Sequence, residues 1–129
     1  MEPNFLHDFN EKVILIVEDE ESNYALLEAL LIPTGAKLFH ASTGKMALDI
    51  IDKQSNIDLV LMDIKLPDSS GYEITKRIRE VHPTLPIIAQ TAFVMTGDKE
   101  KALEAGCDAY VSKPIDLIEL LDIIAGFIC

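Results

Sequence analysis

Basic residues are scarce in this chain. Its 129 residues include 11 Lys and Arg against 22 Asp and Glu, a net charge of −11. A partner bound through nucleic-acid phosphates needs a Lys/Arg surface, so this balance argues against nucleic acid. Long apolar runs are also missing. Nothing approaches the roughly 18 residues of a membrane span, and no basic segment followed by an apolar stretch opens the chain as an export signal would. Cysteine occurs only at Cys107 and Cys129, without metal-ligand spacing. The two read as reduced thiols of a cytoplasmic protein, not as a staple. No repeat, low-complexity stretch or second composition zone interrupts the chain. What is present, 49% apolar and 26% charged residues, is the balance of one soluble domain with a single core.

Residues 1–10 show no clear period and read as a lead-in or linker segment, although Phe5, Leu6 and Phe9 could rest on the domain. From Lys12 onward the pattern is regular. Val13-Ile14-Leu15-Ile16-Val17 is a continuous β-branched run, too short for a helix and typical of a strand buried on both faces. Leu26, Leu27, Leu30 and Leu31 then mark one face of a helix that Pro33, Thr34 and Gly35 stop. The alternation repeats. Strands are expected at 36–41 (a half-exposed edge), 59–62, 86–89 and 109–112, with helices at 45–53, 72–81, 96–105 and from 117 through Ile124. The helix at 96–105 is poor in large apolar residues and should be the most weakly held. Asp116-Leu117-Ile118-Glu119 has the form of a capping box. Five apolar strands alternating with five helices imply an α/β fold whose parallel sheet is covered on both faces. The last helix runs to the end of the chain, which leaves no room for an output domain.

In an open parallel sheet, ligands bind beyond the carboxyl ends of the strands. Glu18, Asp19, Glu20 and Glu21 follow the first strand here, Asp63 the third, Thr91 the fourth, and Lys113-Pro114 the fifth. Glu20 and Glu21 read best as solvated charges favourable to the following helix dipole. Taken singly, Asp63 would be a cap, Lys113 a surface lysine and Thr91 an ordinary strand end. Four strand ends supplying complementary groups together are a different matter. Two carboxylates ~4 Å apart repel by about 1 kcal/mol in bulk water and about 4 kcal/mol at an effective dielectric near 20. Such a cluster suits a hard divalent cation, Mg²⁺ above all, while the lack of Cys and His in these loops speaks against zinc.

With these residues in view, the sequence resembles a response-regulator receiver domain, the phosphoacceptor module of two-component signalling. The resemblance runs from about residue 11 to 128, so the chain divides into a 1–10 lead-in and an 11–129 receiver domain. It is carried by Val17-Glu18-Asp19-Glu20, by Leu61-Met62-Asp63-Ile64-Lys65-Leu66-Pro67 with Gly71, by Gln90-Thr91-Ala92, and by Tyr110-Val111-Ser112-Lys113-Pro114. It implies a flavodoxin-like, doubly wound, five-stranded parallel sheet in the order 2-1-3-4-5 with five helices. By the same resemblance Asp63 is the phosphorylated residue. Glu18 and Asp19 match the acidic pair that holds Mg²⁺, Asp19 being the direct ligand, and the Lys65 backbone carbonyl completes the protein ligands. Thr91 and Lys113 match the groups that contact the phosphoryl oxygens, and Pro114 follows a cis bond. Tyr110 matches the aromatic switch position. A half-buried edge-strand tyrosine is the alternative reading.

The implied partners are a histidine kinase or phosphotransfer protein and a downstream target that the sequence does not name. The stretch Gln90–Pro114 is similar to receivers of hybrid histidine kinases. Ser69-Ser70 departs from the Met-Asp of many relatives, and Lys65 places a cation two residues beyond Asp63. A haloacid-dehalogenase-type phosphatase would want an aspartate at position 65. A flavin carrier of the same fold would not place Glu18–Glu21 where a phosphate must sit. A pseudo-receiver would lack one of Asp19, Asp63 and Lys113, and all are present. The domain is thus expected to be a signalling module that assists its own phosphotransfer and dephosphorylation, not a turnover enzyme. His7, His40 and His82 are assigned surface or packing roles.

Overall fold

In a computed structural model of the chain, residues 7–91 and 98–129 are described. Phe5, Leu6, Ala92 and the expected helix start at Thr96 lie outside them. Strand β1 (Val13–Val17) leads through α1 (Glu21–Leu31) to β2 (Lys37–Ala41), and α2 (Gly44–Lys53) leads to β3 (Leu59–Asp63). Then come α3 (Gly71–Val81), β4 (Ile87–Thr91), α4 (Asp98–Ala105), β5 (Ala109–Ser112) and α5 (Leu117–Ile128). The strands pair in parallel in the order β2-β1-β3-β4-β5, the expected topology. Helix α1 starts earlier than its leucine stripe, because Glu21 and Ser22 occupy its solvated first turn. It gives way to a 3₁₀ turn at Ile32–Thr34, where the stop signal was expected. The Asp116 side chain accepts from the Glu119 N–H at 3.1 Å, so the expected cap on α5 is present.

Periodicity explains the layers. Every residue of β1 and β3 is buried, as continuous apolar runs in the middle of a parallel sheet should be. Alternate residues face opposite sides. Leu15, Val17, Val60, Met62, Ile87 and Ala89 pack on one face with residues of α2, α3 and α4. Ile14, Ile16, Leu59, Leu61, Ile88 and Val111 pack on the other with α1 and α5. Helix α4 is held mainly by Ala102 and Ala105, while Leu103 is 48% exposed, which is the thin apolar anchoring expected of it.

Register brings the strand ends level. Val17 pairs with Met62, Met62 with Ala89, Asp63 with Gln90, and Thr91 with Ser112. Three further backbone bonds run past the strands: Glu18 N–H to Ala41 O (2.9 Å), Ile64 N–H to Gln90 O (3.0 Å) and Lys113 N–H to Thr91 O (2.7 Å). Glu18, Asp63, Gln90 and Lys113 each follow by two a residue of the α1/α5 face, so all four emerge on that side. Arg79 of α3 braces the opposite end of the sheet, donating to the carbonyls of Gly106, His82 and Leu85 and to the Asp108 carboxylate.

Phe9, ahead of the first strand, is fully buried in the α1/α5-side core. Its N–H donates to Thr34 O (2.8 Å) and its carbonyl accepts from Lys12 N–H (3.0 Å). His7 reaches Asp122 of α5 at 2.9 Å. Truncating a buried phenylalanine costs about 3–5 kcal/mol, so Phe9→Ala should lower the free energy of unfolding by that amount. Urea titration checks it, and a loss below about 1 kcal/mol would mean that Phe9 is not part of the core.

Candidate functional site

The ends of β1, β3 and β5 build one pocket around an ammonium. Glu18 is fully buried, and its Oε1 lies 3.1 Å from Lys113 Nζ. Asp63 is 4% exposed, and its Oδ2 lies 3.6 Å from the same Nζ. The Lys65 N–H donates to Asp63 Oδ1 at 3.0 Å, and the Glu20 N–H to Glu18 Oε2 at 3.3 Å. Asp19 is exposed at the mouth. Glu18, Asp19 and Asp63 each offer a carboxylate oxygen, and these lie within 4.8 Å of one another. When all are ionised, three carboxylates face one ammonium, an excess of two negative charges.

That excess has a cost at Asp63. Burial, then its hydrogen bond with Glu18, raises the Asp63 carboxyl from 3.8 to about 7, against the opposing pull of the Lys65 N–H and the Lys113 charge. Asp63 therefore resists ionisation until more positive charge arrives. The donor set is all hard oxygen, which fits Mg²⁺. Among the described residues no His or Cys joins it.

The loop after β3 sets the direction of Asp63. Lys65 and Ser70 form an isolated antiparallel bridge, and Gly71 N–H donates to Ile64 O at 2.7 Å. A Cβ on Gly71 would run into Asp63 O and come within 2.7 Å of Ile64 Cα, so only glycine allows this closure. The Lys65 side chain is exposed and its amide serves Asp63. Thr91 is half-buried at the end of β4, level with Ser112 and one residue before the Lys113 amide it receives. The Lys113–Pro114 peptide is cis. Tyr110 is half-buried against the α2–α4 core cluster, in register with Ala89. Glu20 and Glu21 stay exposed at the start of α1, Glu20 accepting from the Asn23 amide at 2.9 Å.

Three residues at this edge were not foreseen. His40, near the end of β2, donates through Nε2 to the Glu18 carbonyl at 2.8 Å, its ring stacked on Tyr24 at 3.7 Å between centroids. Its packing role therefore bears on the pocket, and the signal was available, because β2 ends at the same sheet edge. Gln90 is fully buried beside Asp63, and among the described residues neither of its side-chain polar atoms has a hydrogen-bond partner. The sequence marked it only as a polar residue after Ile87-Ile88-Ala89 and as the first residue of Gln90-Thr91-Ala92, without a role of its own. Asp68 binds the start of α2, a contact between segments that no local pattern announces.

A doubly wound sheet with an acidic pocket and a lysine at its carboxyl edge defines a phosphoacceptor-type module. The family model of the response regulator receiver domain matches residues 14–125. The polar-differentiation response regulator DivK of Brucella ovis is 39% identical over 119 residues, covering 91% of this chain and 96% of that protein. Among solved structures, the receiver domain of sensor histidine kinase PA1611 from Pseudomonas aeruginosa superposes with a TM-score of 0.83 at 36% identity, covering 91% of this chain and 97% of that one. That structure has a magnesium ion coordinated in its active-site cleft. A chain of the co-crystal structure of Saccharomyces cerevisiae Ypd1, a histidine phosphotransfer signalling protein, with the receiver domain of its downstream response regulator Ssk1 matches with a TM-score of 0.86 at 32% identity, covering 94% and 91%. The chain belongs to the response regulator receiver domain family and is a receiver domain of two-component signalling.

The raised Asp63 pKa has a signed consequence. The folded state holds this proton more tightly than the unfolded chain, so the associated stability is complete below about pH 4 and is lost as pH rises through about 7. In metal-free buffer, Asp63→Asn should gain on the wild type as pH increases across that window, with a slope approaching about 1.4 kcal/mol per pH unit. Denaturant titrations at pH 5 and pH 8 measure the difference. A constant difference would place the perturbation elsewhere.

Proposed function

We propose that this domain accepts a phosphoryl group on Asp63 from the phosphohistidine of a kinase or phosphotransfer protein. The observation that carries this reading is Asp63 itself, a buried strand-end carboxylate beside two further carboxylates and 3.6 Å from an ammonium. A carboxylate oxygen forms the new bond to phosphorus while the phosphorus–nitrogen bond to the donor imidazole breaks. The imidazole nitrogen keeps that electron pair and takes a proton from solvent. Glu18, Asp19, Asp63 and the Lys65 carbonyl are the groups to hold Mg²⁺, which when bound supplies positive charge to the phosphoryl oxygens. Lys113 already sits between Glu18 and Asp63, and can follow the charge onto a phosphoryl oxygen without a large movement. Asp63 and Lys113 thus assist both transfer to the domain and the later hydrolysis.

The output of this chemistry is a shift in conformation. A ligand moves an equilibrium only through contacts that differ between the two states. The Thr91 hydroxyl and the Lys113 ammonium, at the ends of β4 and β5, are the groups to supply such contacts, with Tyr110 of β5 in register with Ala89, two residues before Thr91. The element to respond is α4, given its alanine anchoring. The free thiols Cys107 and Cys129 support the cytoplasm, a reducing compartment, as the place of action. The packed unit includes Phe9, ahead of residue 11 where the family pattern starts, because Phe9 is core.

Incubation with acetyl phosphate and Mg²⁺ should add one phosphoryl group, stable to acid and labile to alkali, with none added in EDTA. Asp63→Asn should abolish the addition by intact-mass analysis, and labelling that persists would mean another nucleophile. Thr91→Ala should still accept the group but lose most of the hydrogen-exchange change that beryllofluoride induces between residues 98 and 112. A full wild-type response in that variant would assign the sensing to Lys113 instead.

A further inference from the structure

We propose that Asp68 is a positioning residue of the phosphoacceptor site: it ties the loop after β3 to the first turn of α2 and so holds the Lys65 peptide against Asp63. The proposal rests on the roles assigned above to Asp63 and Lys65, and it deepens them.

The starting point is the set of unpaired N–H groups that every helix presents at its start. In α2 three of these groups are satisfied by two different segments. Met46 N–H donates to Thr43 Oγ1 at 3.1 Å, an ordinary local cap, and Ala47 N–H opens the helix's own ladder on Thr43 O at 3.1 Å. Gly44 N–H donates to Asp68 Oδ1 at 2.9 Å and Lys45 N–H to Asp68 Oδ2 at 3.1 Å, so one carboxylate from 23 and 24 residues away takes the other two. Both carboxylate oxygens are engaged, and the negative charge sits at the positive end of the helix dipole. The Gly44 N–H above all, with the Lys45 N–H and the Ser69 hydroxyl, keeps the Asp68 carboxyl below its ordinary value, so it is ionised.

A second observation shows that loop and helix are in close contact there. A Cβ on Gly44 would lie 2.5 Å from Ser69 Oγ and 2.6 Å from Ile74 Cδ1, so the Ser69 side chain lies directly against the first turn of α2. The loop is therefore fixed at two places. Its neck closes through the Lys65–Ser70 bridge and the Gly71 N–H to Ile64 O bond, and its tip is fastened by Asp68. Between Lys65 and Asp68 stand Leu66, half-buried against the α2–α4 core cluster, and Pro67, whose ring fixes φ. A displacement of the tip passes through this short, stiff connection to the Lys65 peptide. That peptide donates to Asp63 Oδ1, and its carbonyl is the one assigned to the metal.

Asp68→Ala removes the tie, and Thr43→Ala is the control. Each deprives α2 of an N-terminal acceptor, but only the first touches the site loop. Two readouts separate the proposal from the function it rests on. In metal-free protein, amide exchange of Lys65 should accelerate in Asp68→Ala and stay at the wild-type rate in Thr43→Ala. Mg²⁺ titration followed by NMR should show affinity falling about tenfold in Asp68→Ala, the low end for groups that orient metal ligands, and by less than about twofold in Thr43→Ala. Asp68→Asn, which keeps one acceptor, should fall between. Equal effects of the two alanine variants on Lys65 exchange would overturn the positioning role. Faster Lys65 exchange in Asp68→Ala alone, with no Mg²⁺ binding by the wild type, would uphold that role and overturn the metal assignment.

Discussion

Like charges held together below the surface are the constraint on which this structure turns. Glu18 and Asp63 are buried carboxylates with Lys113 between them, and Asp19 adds a third acid at the solvent edge. Burying one unpaired carboxylate is unfavourable, and burying two next to each other is worse. The pocket survives because three strands deliver the groups in fixed register, and because one ammonium reaches both buried acids. The balance stays incomplete: burial above all, and then Glu18, raise the Asp63 carboxyl to about 7. A site left short of positive charge favours whatever brings more of it, and a divalent cation does so without moving the backbone.

The rest of the molecule can be read as support for that edge. β1 and β3 are buried along their whole length, so the residues that follow them cannot slide without pulling apolar side chains out of register. His40 pins the Glu18 carbonyl from the neighbouring edge strand. Gly71 lets the loop close on Asp63, while Asp68 fastens its far end to α2. On the β2 and β3 side, every group is thus held from at least two directions. The β4 and β5 side is different. There α4 rests on small side chains, with its leucine half out in water. Packing is thus firm around the acidic pocket and thinner at α4, a difference in local stability across one sheet.

Gln90 stands apart from this logic. It occupies a fully buried position in register with Asp63, and both of its polar side-chain atoms lack a hydrogen-bond partner among the described residues. An apolar residue of similar size would avoid that cost. Nothing in the static arrangement explains the amide.

The sequence by itself determined the sheet and most of the pocket. Val13–Val17 and Leu59–Met62 are continuous apolar runs that can only be central parallel strands, and the residue after each such run must emerge at the carboxyl edge. Glu18, Asp63 and Lys113 were legible for that reason, since strand-end position is a local property of the chain. Tertiary structure decided what local pattern cannot carry. Phe9 belongs to the core because α1 and α5 leave a place for it; its apolar ring suggested contact with the domain, but ten residues without a period could not show full burial. His40 reaches Glu18, and Asp68 reaches Gly44, only after β2 and α2 have been laid beside segments more than 20 residues away. Periodicity reports which side of an element is buried. Which distant backbone group then meets a given side chain depends on register and crossover, and these exist only in the assembled sheet.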